Sequence, residues 1–252
     1  MGRNRIMKHL SSLSISRKKV IAFDLDGTLI NTALFWRKVE QKAILHCSGQ
    51  CVPLERLATD FTSFVELNTN GDIYTNYRHF ICSKYKVGVS HQNFLEAYDR
   101  MALLESHSVK FKENAVEVLY EFKRLGYKLV LATASTTKEL DFYAKAPNIE
   151  RELSFSYFDH VLTKDDVSSS KPHPEVYLRI LDRYGIGADE CLVFEDSLRG
   201  IKAAKGAKIE VIHVADEASE DHSQAISAIS DYHIDSFKEL LRIFGPNKNK
   251  EG

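Results

Sequence analysis

The chain has 252 residues, 44% hydrophobic and 27% charged, a mixture that suits one α/β domain or a core domain carrying an insert and excludes wholesale disorder. Lys and Arg number 34 against 35 Asp and Glu, a net charge of −1, so binding to nucleic acid through bulk charge is not expected. Uninterrupted apolar runs, such as 20–23 and 191–194, are too short to span a bilayer or to form the core of a secretory signal, so no membrane partner is inferred. Cys47, Cys51, Cys82 and Cys191 are scattered without the paired spacing of a zinc site, which predicts reduced thiols in a cytoplasmic protein.

Residues 1–18 hold Arg3, Arg5, Lys8, Arg17, Lys18 and several serines, with no acid. They read as a disordered basic tail, and a transit peptide shares that composition. Position 6 is not Ser or Thr, so a myristoylation signal is not matched. At 20–23 a short apolar run ends in Asp24-Leu25-Asp26-Gly27-Thr28, the pattern of a buried parallel strand stopping in a polar turn. Three more runs have the same form: 128–132 ending in Thr133-Ala134-Ser135, 191–194 ending in Glu195-Asp196-Ser197, and 208–214 ending in Ala215-Asp216.

Helical periodicity occupies the intervals. The spacing predicts helices over 114–124, stopping at Gly126, over 175–184 after Pro174, and over 198–205. Ser236-Phe237-Lys238-Glu239 reads as a capping box opening a last helix to about residue 244. Strands alternating with helices imply an α/β fold, a Rossmann-like parallel sheet whose ligands bind at the carboxyl ends of the strands. The stretch 33–108 breaks the alternation with helical periodicity alone and reads as a small all-helical insert, joined by two linkers and placed to act as a lid. The expected organisation is a tail at 1–18, a core at 19–32 and 109–246, the helical cap at 33–108, and a C-terminal tail at 247–252.

Chemistry concentrates at the strand ends. Asp24 and Asp26 stand two apart, and carboxylates that close repel unless a cation or proton lies between them. Magnesium would satisfy the first together with a nearby carbonyl, leaving the second free for proton transfer. A polar turn after a strand uses the same residue types, but Asp-x-Asp-Gly-Thr arises by chance in only about one chain of this length in a few hundred. Thr133-Ala134-Ser135 alone would be a helix cap, Lys171 alone an exposed charge, and Asp196 or Ser197 alone an N-terminal cap.

The segment from Phe23 to Leu29 resembles the first motif of the haloacid dehalogenase superfamily. Leu129 to Ser135 resembles the second, Lys171-Pro172-His173-Pro174-Glu175-Val176-Tyr177 the third, and Val193 to Ser197, with Gly200, Ile201, Ala203, Ala204 and Gly206, the acidic fourth. Their order, with a helical insert between the first two, is similar to the subfamily of β-phosphoglucomutase and small-molecule phosphatases. The resemblance implies a magnesium-dependent hydrolase acting on a small phosphorylated metabolite, with sugar phosphates among the candidates, as a monomer or weak dimer. In it Asp24 is the nucleophile, Asp26 the general acid and base, and Lys171 the cation bridging phosphoryl group and nucleophile. Thr133, with the main-chain N–H groups of Ala134 and Ser135, holds the phosphoryl oxygens. Asp24, the carbonyl of Asp26, Asp196 and, directly or through water, Glu195 hold the metal.

Some positions depart from the family pattern. Trp36 stands where mutase relatives carry a cap histidine, which weighs toward a phosphatase. Asn31-Thr32 replaces an Asp-Ser or Asp-Thr hinge, Glu175 replaces Asp, and Glu113-Asn114-Ala115 replaces Pro-Gly-Ala. A mutase and an inactive binding protein of the same fold are the alternatives; Asp26 argues against a dehalogenase, and no cap lysine is singled out for a phosphonate hydrolase. Trp36, Arg37, Tyr74, Tyr77, Arg78, His79 and Lys84 are the cap candidates for substrate contact.

Overall fold

The run Val20–Phe23 forms strand β1 with every residue buried, as a segment apolar on both faces requires. The computed structural model describes residue 13, residues 15–68 and residues 73–244. After β1 come four helices, α1 (Ala33–Ser48), α2 (Leu54–Leu67), α3 (Ile73–Lys84) and α4 (His91–Glu105). Next are α5 (Ala115–Arg124), β2 (Lys128–Ala132), α6 (Thr137–Ala144), α7 (Pro147–Glu152), β3 (His160–Leu162) and α8 (Glu175–Tyr184). The chain continues through β4 (Cys191–Glu195), α9 (Leu198–Gly206), β5 (Glu210–Val214), α10 (Ser223–Ile229), β6 (Tyr232–Ile234) and α11 (Lys238–Phe244).

The strands form one six-stranded sheet in the order β3-β2-β1-β4-β5-β6, and each neighbouring pair is parallel. The chain leaves β1 for β2 on one side and returns to β4 on the other, so the order reverses at β1, where such sheets bind ligands. Phe23 is in register with Leu131 and with Phe194. The next residue on each strand, Asp24, Ala132 and Glu195, therefore emerges at one level of the carboxyl edge.

Helices cover both faces of the sheet. On one, Val176, Tyr177 and Ile180 of α8 and Ile201 and Ala204 of α9 join Val20, Ala22, Val130 and Val193. On the other, Phe23 stacks on Phe194 at 4.7 Å between centroids, and Phe122 of α5 and Phe237 pack against that pair. Burying each such side chain contributes about 1.5–3 kcal/mol.

The backbone divides into two compact units with boundaries after Asn31 and after Val109. The unit Thr32–Val109 has no strand among its described residues. Within it α1 lies against α4, Lys42 pairs with Glu105, and Trp36 stacks on Tyr98 at 5.7 Å. No helix among the described residues is long and apolar enough to cross a membrane.

Several local boundaries differ from the sequence expectation. Most of the anticipated tail, residues 1–12 and 14, and the anticipated C-terminal tail at 247–252 lie outside the described residues. Order nevertheless begins before residue 19: Ile15–Arg17 forms a 3-10 turn, and the Lys18 ammonium is buried between Glu210, at 2.8 Å, and the Asp189 carbonyl, also at 2.8 Å. Strand β5 starts at Glu210 rather than 208 because Lys208 has φ +61°, which no strand accommodates. The last helix starts at Lys238, with Glu239 accepting the main-chain N–H of Asp235 at 2.7 Å and of Ser236 at 3.3 Å.

Candidate active site

Asp24 leaves the end of β1, where its N–H still completes the ladder to Phe194 at 3.0 Å. Its Oδ1 accepts from the Lys171 ammonium at 2.7 Å. The same ammonium donates to Glu195 Oε1 at 2.6 Å and to the Ala132 carbonyl at 2.8 Å. One buried lysine thus ties together the ends of β1, β2 and β4, and all three of its donors are used.

Glu195 is fully buried and fully engaged. Besides Lys171, its Oε1 accepts from the Tyr177 phenol at 3.3 Å, and its Oε2 accepts from the N–H and hydroxyl of Ser197 at 3.1 and 3.0 Å. The carboxylate reaches this position because residue 200 has no side chain: a Cβ there would lie 1.6 Å from Glu195 Oε1. Ser197 caps α9, its side chain accepting from the Gly200 N–H. Asp196 Oδ1 accepts from the Thr28 hydroxyl at 2.8 Å. Gly27, at φ +81°, permits that approach, since a Cβ would stand 2.3 Å from Asp196 Oδ2.

The remaining predicted residues lie in the second-motif loop and its helix. Ser135 donates its N–H to Thr133 Oγ1 at 2.9 Å, and Ala134 lies between the two. The Asp26 carboxylate is held by two hydroxyls: Oδ2 accepts from that of Ser135 and Oδ1 from the Tyr143 phenol, both at 2.6 Å. Thr136 and Glu139 close a capping box at the start of α6, fixing that helix to the loop. Glu175 accepts the N–H groups of Ser168 and Ser169, at 3.0 and 2.8 Å, and thereby closes the loop before Lys171. His173 is exposed, its Nδ1 accepting the Glu175 N–H at 3.3 Å.

Sequence reasoning gave no role to Thr28, Tyr143 or Tyr177. Thr28 stands inside the first motif and Tyr177 closes the third, so the place of each was a readable signal, whereas nothing near Tyr143 marks its ring as reaching a carboxylate. Among the cap candidates, Arg37 pairs with Glu40 at 2.8 Å, Tyr77 donates to the Leu57 carbonyl at 3.1 Å, and Lys84 pairs with Asp60 at 2.8 Å. The Arg78 guanidinium lies over the Trp36 and Tyr98 rings, His79 stacks on His91, and Tyr74 packs on Phe61.

A family model for haloacid dehalogenase-like hydrolases matches residues 18–208, well over half of the chain. The chain belongs to the haloacid dehalogenase-like hydrolase family. The phosphorylated carbohydrates phosphatase of Thermotoga maritima is 26% identical over 196 residues, covering 77% of this chain and 84% of its own. The pyrophosphatase PpaX of Bacillus velezensis is 28% identical over 232 residues, covering 91% of this chain and 97% of its own. The crystal structure of CbbY from Rhodobacter sphaeroides in complex with phosphate has the same fold, with a TM-score of 0.67 at 21% identity over 88% of this chain and 96% of that one.

The metal ion associated with the haloacid dehalogenase-like family can be tested against these residues. Asp24, Glu195 and Asp196 each offer a carboxylate oxygen, all within 4.8 Å of one another and all buried. Two unit charges at that spacing repel by about 3 kcal/mol even at an effective dielectric near 20. Three carboxylates against the single Lys171 ammonium leave two negative charges, which one divalent cation balances. The strain is visible in proton affinities. Burial pushes the Asp24 carboxyl up to about 8, against the pull of Lys171 and with the push of Glu195. Burial, then Glu195 and Asp24, hold Asp196 well above the usual carboxylate range. Burial opposes the charge on Lys171, but Asp24 and Glu195 outweigh it and hold the ammonium well above its ordinary value. An all-oxygen donor set with this charge deficit fits a hard divalent ion such as magnesium.

Proposed function

We propose that the protein is a magnesium-dependent phosphatase that hydrolyses a small phosphorylated metabolite through a phosphoryl group carried on Asp24. The observation that supports this best is the three-way contact of Lys171 with Asp24, Glu195 and the end of β2, which couples a carboxylate to a buried cation at the strand edge. The named substrates of relatives, phosphorylated carbohydrate and pyrophosphate, are both small and phosphorylated, and we extend that class to this chain.

In this reading the Asp24 carboxylate attacks phosphorus, and the bond from phosphorus to the leaving oxygen breaks. Asp26 gives its proton to that oxygen, so the alcohol leaves neutral. Water then attacks the phosphorus of the aspartyl-phosphate, and Asp26 recovers a proton from it. Inorganic phosphate departs and Asp24 is regenerated. Lys171 keeps Asp24 oriented and offsets charge on the transferring group, and Thr133, with the main chain at Ala134 and Ser135, is assigned to the phosphoryl oxygens. Asp24, Asp196, Glu195 and the main-chain carbonyl of Asp26 are assigned to the magnesium ion, which when bound supplies positive charge to the phosphoryl oxygens. Glu195 already satisfies four donors, so we assign it chiefly to holding Lys171 and the metal-facing loop.

The helical unit falls in sequence between the first and second motifs, which supports reading it as the cap that sets substrate choice. Trp36, whose ring stacks on Tyr98, has no titratable group with which to retain a mutase intermediate, and this favours hydrolysis. Hydrolysis of p-nitrophenyl phosphate in the presence of magnesium tests the reading. The wild-type protein is expected to turn over and Asp24→Asn to lose at least about 10³-fold in rate. Full activity in Asp24→Asn would refute Asp24 as the nucleophile.

A further inference from the structure

We propose that Tyr143 is a positioning residue for proton transfer, clamping Asp26 together with Ser135; this rests on the reading of Asp26 as general acid and base. Tyr143 sits on the last turn of α6 and is completely buried. A buried phenol needs a partner for its single proton, and this one donates it to Asp26 Oδ1 at 2.6 Å. The other carboxylate oxygen takes the Ser135 hydroxyl at 2.6 Å. Ser135 precedes α6 and Tyr143 sits on its last turn, and the Thr136–Glu139 capping box locks the start of the helix between them. One chain segment therefore grips both oxygens of a carboxylate that lies in the turn after β1, which restrains that side chain.

The chemistry of the two grips differs from that at Asp24. Lys171 holds Asp24 with a full positive charge, which favours a carboxylate that stays ionised. Tyr143 and Ser135 hold Asp26 with neutral hydroxyls. A hydroxyl donates to a carboxylate and, after rotating its proton, accepts from a carboxylic acid. A residue that must deliver a proton in one step and recover it in the next needs partners that serve both forms, and these two do. The clamp thus keeps Asp26 aimed through both halves of the reaction.

The consequence is selective. An acid that protonates the leaving oxygen matters most when the leaving group is a poor one, so misplacing Asp26 slows phenyl phosphate more than p-nitrophenyl phosphate. In Tyr143→Phe the ratio of kcat/KM for phenyl phosphate to that for p-nitrophenyl phosphate is expected to fall by about tenfold, part of the 10²–10⁴-fold that a positioned acid supplies. Asp26→Asn is expected to lower the ratio further. Phe keeps the buried ring, and a thermal melt within a few degrees of wild type establishes that Tyr143→Phe is folded; Ser135→Ala, the second grip, is measured alongside and is expected to lower the ratio in the same direction. An unchanged ratio in Tyr143→Phe and Ser135→Ala, with a fall in Asp26→Asn, overturns the clamp and leaves the acid–base reading standing. An unchanged ratio in Asp26→Asn overturns that reading, and the clamp with it. A loss of rate equal for both substrates in Tyr143→Phe assigns Tyr143 to general structure and also overturns the proposal.

Discussion

Replacing Gly200 by Ala sets two effects of opposite sign against each other. Gly200 lies in the first turn of α9, where Ala is favoured over Gly by up to about 1 kcal/mol on helix propensity alone. The added methyl, however, would lie 1.6 Å from Glu195 Oε1 and 1.9 Å from its Cδ, so the carboxylate must leave its place. It then loses the Lys171 ammonium, the Tyr177 phenol and both donors of Ser197. Breaking a buried pair by removing one partner costs about 3–5 kcal/mol, which exceeds the propensity gain and predicts a net destabilisation of about 2–4 kcal/mol. Urea unfolding at constant m-value reads that number, and turnover of p-nitrophenyl phosphate should fall by about 10²-fold or more as Lys171 loses its anchor. A variant as stable as wild type, or more so, with an unchanged rate would refute the placement of Glu195 and the reason given for the glycine.

Chelation should lower phosphatase activity by about 10²-fold or more and added magnesium should restore it; a rate indifferent to chelator contradicts the charge argument at Asp24, Glu195 and Asp196. Acid should weaken the fold through His213, whose ring is pushed down to about 4 by burial, then by His233 and Lys112. An unfolded histidine takes up its proton near 6.5 and the folded one resists until about 4, so stability is lost as pH falls through that window, by at most about 3 kcal/mol. His213→Gln should flatten the pH dependence of unfolding between those limits relative to wild type, and parallel curves would contradict the assignment.

The parallel sheet and the convergence of strand ends were legible because β1, β2 and β4 are buried on both faces and so read as short apolar runs with polar stops. Strands β3 and β6 were not, because each has three residues, contains a histidine, and is defined by pairing with a longer neighbour rather than by its own pattern. Asp24, Lys171 and Asp196 were singled out by the resemblance to the family motifs, and the fold brings Lys171 onto Asp24 with Asp196 beside it. The division of labour among the acids was not, since it depends on which way a side chain turns. Glu195, expected as a direct or water-mediated metal ligand, pairs with Lys171, and Asp26, expected to move protons, accepts from the Ser135 hydroxyl and from a phenol 117 residues away in sequence. Tyr143 itself sits in a helix with no motif, and only the packing of α6 shows where its hydroxyl goes.

The central claim is that the strand edge presents Asp24 as a phosphoryl acceptor. The most direct measurement is mass analysis of the Asp24-containing peptide from enzyme quenched in acid during turnover of excess substrate. A phosphoryl group on Asp24, present in the wild-type protein and missing from Asp24→Asn, is the predicted result. An unmodified peptide throughout turnover, with Asp24→Asn still hydrolysing the substrate, would contradict it.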